Sequence, residues 1–225
     1  MTGTIINAAA IFAGGLLGWW AGSLLSEQMR GTLLAVMGLV VTVMGIEMAL
    51  EWGNSPLPII IAVVVGGAAG ELLDIEGRLE ALGQRLQRLM RSRFQGDLAT
   101  GFVQTTMIYC VGPMAVLGAL ESGLQGSYRI LLSKAAIDGI TAIAFASTLG
   151  LGVIFSGVSV FVYQGLLTLG ARYVATAMAF AGSRLTATGG ILIVGLGLKI
   201  LGIKEIRVAN LLPALPAVVL IAWIC

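Results

Sequence analysis

The chain has 225 residues, 58% of them hydrophobic and 11% charged, with a formal net charge of +2. An ordinary soluble domain is about 25% charged, so the composition points to an integral membrane domain. No histidine is present, and Cys110 and Cys225 stand far apart, which argues against a transition-metal centre, a cofactor site and a disulfide framework.

The apolar residues form long runs, as a bilayer crossing requires. The first run, residues 5–25, has no basic segment before it, so a cleaved signal peptide is not expected. Its Gly14, Gly18 and Gly22 recur every four residues, a ridge of small side chains suited to close helix contact. Asn7 is the polar residue near its start. A second span covers 32–49, and an acidic loop with Glu47 and Glu51 follows. A third span, 57–73, carries Gly66, Gly67 and Gly70.

Residues 74–94 have a different character. Ile75, Leu79, Leu82, Leu86 and Leu89 fall at spacings of four and three, one apolar stripe of an amphipathic helix. Arg78, Arg85, Arg88, Arg91 and Arg93 occupy other faces. The pattern predicts a helix on the cytoplasmic membrane surface, or a short coiled-coil contact with a partner. Aromatic interleaving is missing, so a nucleic-acid partner is not expected.

A fourth span, 101–120, contains Gln104, Thr105, Thr106 and Tyr109. Gly112 and Pro113 then predict a kink or break, because proline removes a backbone donor. Glu121 ends this span. The fifth, 130–155, carries Lys134 and Asp138 four residues apart, on one face of a helix. The sixth, 158–179, holds Gln164 and Arg172. The seventh covers 188–201 and the eighth 211–224. The predicted fold is therefore an all-α polytopic membrane protein of about eight transmembrane helices with one amphipathic helix.

Basic residues mark the cytoplasmic side. The five arginines of 78–93, with Arg30, Lys199, Lys204 and Arg207, place nine on one side, against Arg129 and Arg184 on the other. Both termini are then expected outside.

An internal repeat has an offset of 157. Gly38, Leu39, Gly45, Ile46 and Pro56 meet Gly195, Leu196, Gly202, Ile203 and Pro213, and Asn7 meets Gln164. Spans one to three would match six to eight. The shift of five spans is odd, so one copy is inverted, the recurring architecture of secondary transporters. The expected division is 1–73 as first repeat, 74–96 as amphipathic helix, 100–156 as central spans and 157–225 as second repeat.

A charge within the hydrocarbon layer costs roughly 2.5–3.5 kcal/mol on insertion scales, so Lys134 and Asp138 need a reason. The candidate binding residues are Asp138, Lys134, Gln104, Tyr109, Gly112, Pro113, Glu121, Asn7 and Gln164. Asp138 would carry a proton or monovalent cation, and Lys134 would be its counter-charge or hold a substrate carboxylate. The plainer alternative is a Lys134 that snorkels to the interface, neutralised by Asp138. The function classes are a cation-coupled secondary transporter, a channel-like pore, or a scaffold using the arginine-rich helix. An enzyme is not expected, since no activated nucleophile is evident. The glycine ridges would serve a homo-oligomer as well as intrachain packing.

The central block CVGPMAVLGALESGLQG (110–126) and LLSKAAIDGITAIAFASTLGLGVIFS (131–156), with GTIINAAAIFAGGLLG (3–18), resembles a bacterial integral membrane family, domain of unknown function 554. The resemblance covers essentially the whole chain. It implies an inner-membrane transporter without an agreed substrate, and it carries no established catalytic residues.

Overall fold

A computed structural model describes residues 1–53, 55–89 and 98–224. Among them the chain is all-helical, with ten α-helices and no strand. The helices are α1 (Thr2–Gly22), α2 (Glu27–Ala49), α3 (Leu57–Leu73), α4 (Ile75–Leu89), α5 (Leu98–Val111), α6 (Pro113–Gln125), α7 (Arg129–Leu149), α8 (Gly152–Leu169), α9 (Ala171–Ile200) and α10 (Ala214–Ile224). A 3₁₀ turn, Val208–Leu211, precedes α10.

Among the described residues five helices are long and apolar enough to cross a membrane: α1, α2, α7, α8 and residues 181–200 of α9. The total is seven if two bent pairs each count as one span. These are α3 with the start of α4, bent by 46°, and α5 with α6, bent by 57°. The outer surface carries large apolar side chains such as Leu17, Trp20, Val43, Val64, Ile140, Leu166 and Leu169, the complement of lipid rather than water.

The second half departs from the expected boundaries. The fifth span ends at Leu149 rather than running to 155, because Gly150 takes φ +78°, which glycine alone adopts readily. Residues 152–155 belong to α8, which stops at Leu169 instead of crossing Arg172. Arg172 lies in the first turn of α9. That helix runs for 30 residues and absorbs both 171–179 and the seventh span. The eighth span shortens to a 3₁₀ turn and the 11 residues of α10. At 1.5 Å per residue that is about 17 Å, well under a bilayer core. Arg91 and Arg93 of the amphipathic segment lie outside the described residues.

The chain divides into two compact units, 1–37 with 79–172 and 38–78 with 173–225. In the first, α1 lies parallel to α7 with almost no space between the backbones. A Cβ added at Gly14 would strike the carbonyl oxygen of Gly139, and one at Gly18 that of Ile143. One at Gly22 would lie 2.6 Å from the carbonyl oxygen of Ser147. The predicted glycine ridge is thus the α1–α7 contact. Helix α8 crosses α1 in the opposite sense, with Ile154 against Gly15 and Gly157 against Phe12.

In the second unit α2 and α9 pack antiparallel. Gly38 meets Leu201, Thr42 meets Gly197 and Gly45 meets Val194. Helix α3 packs on α10 through Gly66 and Ala214, with Ile59, Ala62, Ala187 and Val218 as a buried cluster. A polar clasp closes the α3–α4 corner, where Asp74 takes a left-handed conformation (φ 48°). Glu76, 3% exposed, accepts from Lys199 Nζ at 2.6 Å and from the Ala209 amide at 2.9 Å. Its own amide donates to Asn210 Oδ1 at 2.7 Å. Asn210 in turn donates to Glu71, and Arg207 pairs with Glu71 and Asp74. Those two carboxylates, Asp74 first, hold the Arg207 guanidinium above its ordinary range.

Glu76→Ala should therefore free the start of α4. We expect a loss of about 2 kcal/mol, below the 3–5 kcal/mol typical of a broken buried pair, because Lys199 retains 20% side-chain exposure. Hydrogen exchange should speed up over 75–81; unchanged protection there would show that other contacts hold the corner.

Candidate functional site

The centre of the first unit is polar. Lys134, one and a half turns into α7, is only 5% exposed, and Asp138 is 3% exposed. Their i, i+4 spacing brings Lys134 Nζ to 2.9 Å from Asp138 Oδ1 and 2.8 Å from Oδ2. The ammonium also stands 5.8 Å from the centroid of the Tyr109 ring, within cation–π range. Lys134 is therefore turned inward onto its partner. It does not reach out to an interface.

Asn7 joins this pair from α1. Its Nδ2 donates to Asp138 Oδ2 at 3.1 Å and to Gln164 Oε1 on α8 at 3.3 Å. The carboxylate can only accept, so it fixes which way the Asn7 amide faces, and that amide orients Gln164 in turn. Asn7 and Gln164 are both fully buried. Tyr109, 1% exposed, approaches from α5, and Thr141 Oγ1 donates to its hydroxyl at 3.4 Å. The same threonine hydroxyl lies 3.1 Å from the Asp138 carbonyl oxygen.

Four helices thus supply one network: α1 (Asn7), α5 (Tyr109), α7 (Lys134, Asp138, Thr141) and α8 (Gln164). Several buried polar atoms of the same helices have no hydrogen-bond partner among the described residues: Asn7 Oδ1, Gln164 Nε2, Gln104 Oε1, and the hydroxyls of Thr4 and Thr168. Gln104 is 6% exposed on α5 but makes no hydrogen bond to the pair.

The predicted break is present. Gly112 leaves helical geometry (ψ 147°), and Pro113 starts α6, where its missing N–H costs nothing. Glu121 stands apart from the network. Its carboxylate accepts from Ser127 Oγ at 2.8 Å and the Ile130 amide at 3.1 Å, so it caps the N-terminus of α7. Thr4, Thr141 and Thr168 were not among the sequence candidates. Thr4 and Thr168 were legible as neighbours one turn from Asn7 and Gln164 on the same helix faces. Among the described residues no group of three His, Cys, Asp or Glu side chains could hold a metal.

Comparison with known proteins gives the family. The model of "Protein of unknown function (DUF554)" matches residues 2–223. "Uncharacterized membrane protein YdfK" of Bacillus subtilis (strain 168) is 32% identical over 219 residues, covering 96% of this chain and 93% of its own. "Uncharacterized protein YqgA" of Escherichia coli (strain K12) is 30% identical over 220 residues, covering 95% and 92%. No solved structure matches. With the match running over almost the whole helical array, the chain belongs to the DUF554 family of membrane proteins.

Proposed function

We propose that the protein is a cation-coupled secondary transporter of a small solute or ion in the bacterial inner membrane. The observation that carries this reading is the buried Lys134–Asp138 pair, tied by Asn7 to Gln164 beside a broken helix. A pair serving only to join two helices would bridge them. Lys134 and Asp138 instead sit on one helix, and their charges cancel locally. Asp138 is then the group that takes up and releases a proton or monovalent cation, with Lys134 as the counter-charge.

The helix directions support an inverted repeat of α1–α3 against α8–α10, with α10 and its 3₁₀ turn as a short eighth member. Helices α1 and α7 run parallel, which needs an odd number of crossings between them; α2, α3 and the bent α5–α6 pair supply three. The pairs α1–α8, α2–α9 and α3–α10 run antiparallel, as inverted equivalents must. Asn7 and Gln164 touch across 157 residues. The register of α2 on α9 brings Val41 level with Leu198, the same separation. On this reading both termini lie outside and α4 faces the cytoplasm.

The test asks whether the network is reached by solvent. With Cys110 and Cys225 replaced, Thr141→Cys should react with an impermeant thiol reagent from one face of native membrane vesicles. In the same background Asp138→Asn, correctly inserted, should lose flux. Silence at position 141 from both faces, with labelling after denaturation, would make the pair a dry structural clasp. Fast, passive, non-saturable flux would make the protein a pore.

A further inference from the structure

The transport reading leaves open what the site holds, and the unpartnered atoms bear on that. Helices α1 and α8 cross antiparallel with Asn7 against Gln164, so the turn before Asn7 lies beside the turn after Gln164. Thr4 and Thr168 occupy those turns on the same faces. Thr4, Asn7 and Gln164 are 0% exposed and Thr168 is 7% exposed. Among the described residues four of their polar atoms meet no partner: Thr4 Oγ1, Asn7 Oδ1, Gln164 Nε2 and Thr168 Oγ1.

These four atoms are neutral and mixed in kind. The Asn7 oxygen can only accept, and the Gln164 nitrogen can only donate. The two hydroxyls can do either. The nearby charges already cancel, since Lys134 and Asp138 are closed on each other. While that pair stays closed, a charged solute entering here would find no free counter-charge in a buried setting, which is costly. A neutral solute carrying a donor beside an acceptor would satisfy both amides at once. Divalent cations fit poorly, because the one carboxylate is taken.

Resting on the transport reading, we propose that the α1–α8 crossing binds a small uncharged solute presenting a hydrogen-bond donor next to an acceptor, such as a primary carboxamide. Its carbonyl accepts from Gln164 Nε2 and its N–H donates to Asn7 Oδ1. The Thr4 and Thr168 hydroxyls, also unpartnered, are left for its second N–H and second carbonyl lone pair.

Saturation-transfer NMR on the purified full chain tests this with acetamide as probe, beside its charged isosteres acetate and methylammonium. Acetamide should receive saturation and the two ions should not. Thr168→Val is isosteric and removes a hydroxyl that no described protein group uses, so the variant should fold with an unchanged or higher melting temperature. Its acetamide affinity should fall about 5-fold, the equivalent of one neutral hydrogen bond. Saturation of acetate or methylammonium in place of acetamide would overturn the ligand class. So would no saturation of any probe, or equal acetamide binding by Thr168→Val with a lowered melting temperature. Acetamide binding without flux in proteoliposomes would instead leave this site standing and remove the transport reading.

Discussion

Asp138→Leu should destabilise the protein by about 3–5 kcal/mol, the loss typical when one partner of a buried ion pair is removed. The cause is the group left behind. Lys134 is 5% exposed, and its Nζ has both Asp138 oxygens within 2.9 Å. Without them the ammonium stays buried beside the Tyr109 ring, and Asn7 loses the acceptor that orients its amide. The double variant Lys134→Met/Asp138→Leu removes both charges together and should recover most of the stability, because replacing a whole buried pair by apolar side chains is often neutral or stabilising. Unfolding of wild type, both single variants and the double variant gives the coupling directly. A double variant as unstable as Asp138→Leu would mean that Asp138 acts mainly through Asn7, while an unaffected Asp138→Leu would show that water already reaches Lys134.

Gly18→Val should be comparably severe, for a steric reason. A Cβ at Gly18 falls on the backbone of Ile143, meeting its carbonyl oxygen and lying 2.7 Å from its Cα. Backbone atoms inside a helix cannot rotate aside as a side-chain tip can. Helices α1 and α7 must separate, and the contacts at Gly14 and Gly22 on the same ridge separate with them. Overpacking a tight core costs typically 1–3 kcal/mol, and a branched side chain on a backbone–backbone contact belongs at the upper end. The separation would also stretch the 3.1 Å hydrogen bond from Asn7 to Asp138. Gly31→Val is the control, since among the described residues nothing lies within 4 Å of a Cβ at Gly31. Equal melting temperatures for the two variants would show that α1 and α7 do not pack this closely in the membrane.

The features that survive from sequence to structure are those written in local spacing. The four-residue glycine ridge of α1, the Gly112–Pro113 break and the i, i+4 charge pair all appear where the residues put them. Asn7 and Gln164 were singled out as equivalents at one offset, and they touch. The errors arose where apolar composition hides a boundary. Nothing in LGLGVIFS says which glycine ends a helix; the turn falls at Gly150, where φ becomes positive, and Gly152 is helical. Arg172 looked like a charge stranded mid-span because the stop at Leu169 carries no polar signal. Glu121 joined the site list for lying at the end of the fourth span, but its carboxylate caps the next helix, a role set by a loop conformation that spacing alone does not encode. The Glu76–Lys199 clasp was missed because its partners lie 123 residues apart.

The parallel pairing of α1 with α7 also sets an order of events during synthesis. The ridge of α1 is complete within the first turns made, but the surface it fits, from Gly139 to Ser147, comes much later. Asn7 waits for Asp138 across 131 residues. At synthesis rates near 5–20 residues per second, that is roughly 7–26 s. Through that interval the newborn helix carries an unmated amide and a bare glycine face in the bilayer. Quality control has an opportunity there, and any factor that shields nascent spans would find α1 its first client.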